Sequence, residues 1–294
     1  MCDNDSMNDM AEYNLRTGGL SRREFGALTL GAGLASAIPA AASAGAPETT
    51  ESEVEIKTAD GTADAYLVHP ATGKHPGVLI WPDIFGLRPA FRNMGKRLAE
   101  SGYTVLVVNP FYRIKKAPTS PEHADFNDPA TRNLLMGQME SLNAATTNTD
   151  AKAFIPYLDG LPAVDRNRKL GTTGYCMGGP LVFRTAAAAA DRVGAAATFH
   201  GGGLVTDKPD SPHLLIPKMK AHFLIAIAEN DDQKQPEAKS VLRESFAKAR
   251  LPAEIEVYKG TLHGWCPPDS QVYNQEQAEK AWARLLVSFK NALG

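Results

Sequence analysis

Residues 169–190 read KLGTTGYCMGGPLVFRTAAAAA, and this stretch decides the fold. Lys169 to Tyr175 reads as a strand and Gly178 to Ala190 as a helix, with Gly174-Tyr175-Cys176-Met177-Gly178-Gly179 making the sharp turn between them. The turn has the form G-x-nucleophile-x-G, with cysteine at the nucleophile position. Glycines on both sides lack a Cβ, so strand and helix can approach closely around the side chain at the apex. A thiol at the start of a helix faces free N–H groups and the positive end of the dipole, which favour thiolate. The N–H of Met177 would point toward an oxyanion developing there.

Outward from this turn, short β-type runs alternate with helical ones. Upstream, Val54–Lys57 and Ala65–His69 flank the turn pair Asp60-Gly61 and read as a hairpin. Gly77–Trp81, a helix over Arg88–Ser101 and Thr104–Val108 follow as strand, helix, strand. Ile114–Pro129 carries three prolines and reads as a surface loop able to cover a site. Helical signal runs from Thr131 to Leu161 with a break over Asn143–Thr149. Downstream lie strands at Ala195–Phe199, Phe223–Ala228 and Glu254–Tyr258, a helix over Pro236–Ala249, and a last helix with an apolar stripe at Ala278, Trp282, Leu285, Leu286, Phe289 and Leu293. This alternation predicts an α/β fold: an open, mostly parallel sheet with helices on both faces, over residues 54–294.

The chain has 294 residues, 43% apolar and 22% charged, which suits a globular protein with a sizeable core. Its 31 basic and 33 acidic side chains leave a net charge of −2, with no basic field for a nucleic acid. Three cysteines without C-x-x-C spacing predict neither a disulfide framework nor a structural zinc site. Ser21-Arg22-Arg23-Glu24-Phe25-Gly26, a weakly apolar stretch over Ala27–Ile38 and Ala42-Ser43-Ala44 read as a twin-arginine export signal over residues 1–44, with cleavage near Ala44 and a linker over 45–53. The partner implied is the twin-arginine translocation machinery and the destination periplasmic, with no stable membrane span after cleavage. Such export carries folded proteins into an oxidising compartment, where a free thiol is exposed to oxidation.

A nucleophile elbow needs an acid and then a base further along the chain. Asp231 or Asp232 follows the strand Phe223–Ala228, and His263 follows Glu254–Tyr258. Carboxyl ends of strands in open α/β sheets are where ligands bind, so these groups can converge on Cys176. His263 would take the thiol proton and the aspartate would orient the imidazole. His200 also ends a strand, before Gly201-Gly202-Gly203, and reads as lining the pocket.

On Gly174–Gly179, the Ala228-Glu229-Asn230-Asp231 turn, His263-Gly264 and Asp83-Ile84-Phe85-Gly86, the mature chain resembles the dienelactone hydrolase family, α/β-hydrolases with a Cys-Asp-His triad. The resemblance implies that Asp231 is the triad acid and that the Ile84 N–H joins that of Met177 in the oxyanion hole. It also implies that Arg113 grips a substrate carboxylate, a pairing of Arg113 with Asp83 being the alternative. Two positions depart from the family: Asp83 stands where the family has glutamate, and Cys266-Pro267-Pro268 lacks a second arginine. Both bear on the substrate rather than on acyl transfer.

The expected activity is hydrolysis of a carboxylic ester or lactone through a thioester, without metal or organic cofactor. Asp83, Phe85, Phe111, Tyr112, Arg113 and Trp265 would wall the substrate pocket. Two other readings stay open: a catalytically silent binding scaffold, and a thiol redox protein cycling Cys176 with Cys266.

Overall fold

The computed structural model describes residues 47–294, so the predicted export signal and its cleavage site lie outside the described residues. Strands β1 (Thr49–Thr58) and β2 (Gly61–Pro70) form a hairpin in continuous register from Thr49 opposite Pro70 to Thr58 opposite Gly61. The Asp60 N–H donates to Thr58 Oγ1 at 3.0 Å across the turn. β1 begins at Thr49, inside the stretch expected to be a linker. Its outer residues are mostly exposed, and Glu51, Glu53 and Glu55 are held by Lys96, Arg92 and Lys116. Beyond the expected Val54–Lys57, the outer part of this edge strand is held by ladder bonds and ion pairs and has no apolar alternation to reveal it.

β3 (Gly77–Trp81), α1 (Pro89–Glu100) and β4 (Thr104–Val108) follow as a right-sized β-α-β unit, and both strands are buried throughout. The stretch from Ile114 folds back, and Thr119, 2% exposed, lies where a Cβ on Gly86 would touch its hydroxyl. Gln138 Nε2 donates to the Thr119 carbonyl at 3.1 Å and ties this loop to α2 (Pro129–Met139). The helical break falls at residues 140–143, earlier than the sequence suggested. Asn143 is the N-cap of α3 (Ala144–Gly160), accepting from the N–H groups of Ala145 and Thr146, with Thr146 bonding back in a capping box. The polar run that looked like a breaker is a helix start.

The second half runs β5 (Leu170–Tyr175), α4 (Gly178–Ala188), β6 (Val193–Phe199), a 3₁₀ turn over Pro212–Lys218, β7 (His222–Ala228), α5 (Glu229–Lys234), α6 (Ala238–Ala249), β8 (Ala253–Tyr258) and α7 (Gln275–Leu293). The sheet order is β1-β2-β4-β3-β5-β6-β7-β8, antiparallel at β1/β2 and β2/β4 and parallel elsewhere. Alternate residues of β3 serve opposite layers. Leu79 and Trp81 join Phe154, Phe183, Phe223 and Phe246, while Val78 and Ile80 join Phe91, Leu98, Leu285 and Phe289. Both faces are therefore covered, which explains why the central strands lack polar alternation. Ala281, Leu285, Phe289 and Leu293 form the buried stripe of α7, and truncating Phe289 to alanine costs roughly 3–5 kcal/mol. With the sheet fixed in this way, the carboxyl ends of β3, β5, β6, β7 and β8 open toward one edge.

Candidate active site

Cys176 sits between β5 and α4 with φ of 52°, a left-handed conformation that costs a non-glycine residue about 1 kcal/mol or more. The turn is held by the Cys176 N–H donating to the Phe199 carbonyl and by the Gly179 N–H donating to the Cys176 carbonyl, both at 3.0 Å. A Cβ on Gly174 would lie 2.4 Å from the Gly178 carbonyl oxygen, and one on Gly178 would lie 2.5 Å from that of Trp81. The glycines are thus required by close backbone approach. Cys176 is 5% exposed, next to the start of α4.

The acid lies on a short helix rather than in the loop expected after β7. Asp231, in α5, accepts from His263 Nδ1 at 2.7 Å. The neighbouring Asp232 is held instead by Lys239 Nζ, 2.7 Å from both carboxylate oxygens, which separates the two candidate acids. Asn230, which the sequence reading passed over, accepts from the His263 backbone N–H through Oδ1 at 2.9 Å. The Gly260 N–H donates to Glu229 at 3.1 Å, so α5 and the histidine loop are fastened at several points. Its place in the Ala228-Glu229-Asn230-Asp231 turn after a strand was the signal for Asn230.

Nε2 of His263 is buried and makes no hydrogen bond of ordinary geometry. Burial alone would lower the affinity of His263 for a proton, but interactions with Asp231 and Cys176 outweigh it and push the imidazole up to about 10. That balance favours the protonated ring. Cys176, the histidine and Asp231 are therefore coupled although 87 residues separate the thiol from the ring.

His200, at the end of β6 with φ of 41°, is 1% exposed, and both its ring nitrogens lack hydrogen-bond partners. Its ring meets that of His263 edge to face at 5.1 Å between centroids. Burial, then the charge on His263, lowers its proton affinity well below the ordinary value, so it remains neutral. The buried ring packs edge-on against that of His263 rather than lining an open pocket.

Opposite the elbow, Asp83 is 6% exposed and organises the loop that follows β3. Its side chain accepts from the Phe85 N–H at 3.0 Å and its carbonyl from the Gly86 N–H at 2.9 Å, with Ile84 between them. Arg88, not singled out from the sequence, pairs with Asp83 at 2.6 and 3.0 Å and with Asp269 at 2.7 and 3.0 Å. Its position five residues after Asp83, just before the helix-starting Pro89, was the available signal.

Three expected wall residues lie elsewhere. Arg113 bonds to Asp60 and Asp150, and the Tyr112 hydroxyl bonds to Thr58 and Asp150, both at 2.8 Å, so this pair closes the hairpin against α3. A fully buried Asp150 carboxylate must be paired, and it claims the arginine expected for substrate. The alternative pairing of Arg113 with Asp83 is replaced by Arg88. Trp265 is fully buried and stacked on Tyr258 at 4.8 Å between centroids, which makes it core beneath the histidine loop. Phe111 is likewise buried, beside Gly86, whereas Phe85 is partly exposed under the Arg88 guanidinium. Neither Cys176 nor Cys266 is in a disulfide, and burial pushes Cys266 well above the usual thiol range. Among the described residues no three His, Cys, Asp or Glu side chains converge as metal ligands, and no helix is long and apolar enough to cross a membrane.

A mostly parallel eight-stranded sheet, with a strained elbow after one strand and a paired acid and histidine after two later ones, defines an α/β-hydrolase fold. The dienelactone hydrolase family profile matches residues 63–293, and the chain belongs to that family. A Synechocystis protein assigned as a carboxymethylenebutenolidase is 28% identical over 233 residues, covering 78% of this chain and 91% of its own. Carboxymethylenebutenolidase 1 of Cupriavidus pinatubonensis is 29% identical over 197 residues, covering 66% and 78%. The solved structure of a Klebsiella pneumoniae protein assigned as a dienelactone hydrolase superposes with a TM-score of 0.72 at 21% identity, over 83% of this chain and 99% of that one. The protein is thus an enzyme of the ester- and lactone-hydrolysing class.

Proposed function

We propose that the protein hydrolyses a carboxylic ester or lactone with Cys176 as nucleophile. The thiolate adds to the carbonyl carbon, and the N–H groups of Met177 and Ile84 hold the oxyanion. Collapse expels the alkoxide, or the ring oxygen of a lactone, which takes its proton from the His263 imidazolium and leaves a thioester on Cys176. His263, now neutral and oriented by Asp231, takes a proton from water as its oxygen attacks the thioester. The carboxylic acid leaves and the thiolate-imidazolium pair is restored. No metal or organic cofactor enters these steps.

The observation that carries the proposal is the coupling of His263 to Asp231 on one side and to Cys176 on the other. A redox cycle between Cys176 and Cys266 has less support, because a buried thiol held protonated is a poor partner for exchange. Export to the periplasm by the twin-arginine machinery is part of the same proposal, from Arg22-Arg23 and Ala42-Ser43-Ala44. Its check is the compartment in which the chain and its Arg22→Lys/Arg23→Lys variant accumulate. The catalytic proposal is tested by turnover of an activated aryl ester and a simple enol lactone by the reduced protein. Cys176→Ala and His263→Ala are each expected to abolish it, and turnover retained in either variant would refute the mechanism.

A further inference from the structure

The charges around the candidate site point to the kind of substrate, on the premise that Cys176 is the nucleophile of an ester or lactone hydrolase. Asp83, Arg88 and Asp269 stand together on two loops, one leaving β3 and the other continuing from His263. The first of these loops runs against the elbow, since a Cβ on Gly178 would meet the carbonyl oxygens of Trp81 and Pro82 at 2.5 and 3.0 Å. Each of the three guanidinium nitrogens of Arg88 already donates: Nε to Asp269, Nη1 to Asp83 and the Gly86 carbonyl, Nη2 to both aspartates. Its planar group also lies against the rings of Phe85 and Phe91, 5.3 and 4.9 Å from their centroids. One cation between two carboxylates leaves the cluster with a net negative charge.

Arg113, the arginine the resemblance placed at the substrate, is spent in the same way. Nε donates to Asp60, Nη1 to Asp150, and Nη2 to both and to the Thr146 carbonyl. Releasing it would strand Asp150, whose side chain is 0% exposed, as an unpaired buried anion. A substrate carboxylate would therefore find both guanidinium groups occupied and would meet the excess negative charge of the Asp83–Arg88–Asp269 cluster. An uncharged ester or lactone meets neither obstacle.

We propose that this enzyme selects an uncharged ester or lactone, and that the Asp83–Arg88–Asp269 cluster disfavours a substrate carrying a carboxylate. Asp269 is the adjustable member, because its side chain is 45% exposed and can leave without stranding a buried charge. The cluster is held together by Arg88, so its charge and its position across the elbow are set by the same side chain.

The test compares two enol lactones that differ only in an exocyclic carboxylate or its primary carboxamide, with ring opening followed by absorbance for the reduced full-length protein. The expected result is a kcat/KM at least about tenfold higher for the carboxamide. Asp269→Asn, which makes the cluster neutral and frees donors of Arg88, should move the ratio about tenfold toward the carboxylate. Equal or better turnover of the carboxylate by the unaltered protein would overturn the proposal, as would a ratio unmoved by Asp269→Asn. Turnover of neither lactone nor of an aryl acetate would instead overturn the hydrolase mechanism on which the proposal rests, so the two failures are told apart.

Discussion

Gly178→Ala places one methyl group between the elbow and the loop that carries Ile84. The new Cβ would stand 2.5 Å from the Trp81 carbonyl oxygen, 3.0 Å from that of Pro82 and 3.1 Å from the Trp81 carbonyl carbon. Ordinary contact begins near 3.4 Å, so relief demands a separation of about 0.9 Å, and each opposing atom is backbone rather than a side-chain tip that could swing aside. The start of α4 must then move away from the end of β3. Overpacking of this kind costs about 1–3 kcal/mol of stability. The proposed oxyanion donors, Met177 and Ile84, lie on the two parts pushed away from each other, and a displacement near 1 Å costs about 100-fold in rate. Urea unfolding and kcat/KM for an uncharged aryl ester read the two effects. Gly137→Ala, in α2 with nothing within 4 Å of its Cβ position, is the control and should gain about 0.5–1 kcal/mol with activity unchanged. Wild-type kcat/KM in folded Gly178→Ala would refute the reasoning that elbow and loop form one constellation.

Asp150→Asn should destabilise the protein by about 3 kcal/mol in urea while changing kcat/KM for an uncharged ester by less than about twofold; a tenfold loss of kcat/KM would return Arg113 to the site. Because His263 is pushed up to about 10, kcat/KM should hold on the alkaline side until about pH 10 and fall above it as the imidazolium is lost, with Asp231→Asn moving that limb to lower pH. The stabilisation from the His263 charge has the same sign, present in full below the ordinary histidine value of 6.5 and lost as pH rises through about 10. His200 behaves oppositely: its proton affinity is depressed on folding, so the unfolded chain binds a proton first and stability falls as pH drops below about 6.5. His200→Phe should flatten the fall in urea midpoint between about pH 7 and pH 5, and an unchanged slope would show that the acid sensitivity lies elsewhere.

Much of the sheet was legible because β3, β4, β6 and β7 are buried runs bounded by turn residues, and both faces are covered by helices. Of β1 the sequence showed only Val54–Lys57; residues 49–53 were hidden, since the exposed glutamates of this edge strand find their partners Lys96, Arg92 and Lys116 in distant segments. α5 was missed for a similar reason: Glu229-Asn230-Asp231-Asp232-Gln233-Lys234 reads as a polar turn, and only these six residues become helical, N-terminal charges and all. The elbow, Asp231 and His263 were visible as residue types at strand ends, and the resemblance favoured Asp231 over Asp232; the physical reason, Lys239 holding Asp232 from five residues beyond the end of α5, was not legible. Arginine roles were the least legible. Arg113 and Arg88 each have several candidate anions in the sequence, and it is the burial of Asp150 and Asp83 that decides which arginine goes where.

The central claim is that Cys176 carries the acyl group. Rapid mixing of the reduced protein with an activated aryl ester, acid quenching and intact-mass measurement should show one added acyl group, mapped by peptide digestion to Cys176 and missing from Cys176→Ala. The free thiol of Cys266, buried and held protonated, should remain unmodified. Hydrolysis continuing in Cys176→Ala at the wild-type rate, with no acyl group on Cys176 of the parent protein, would contradict the account.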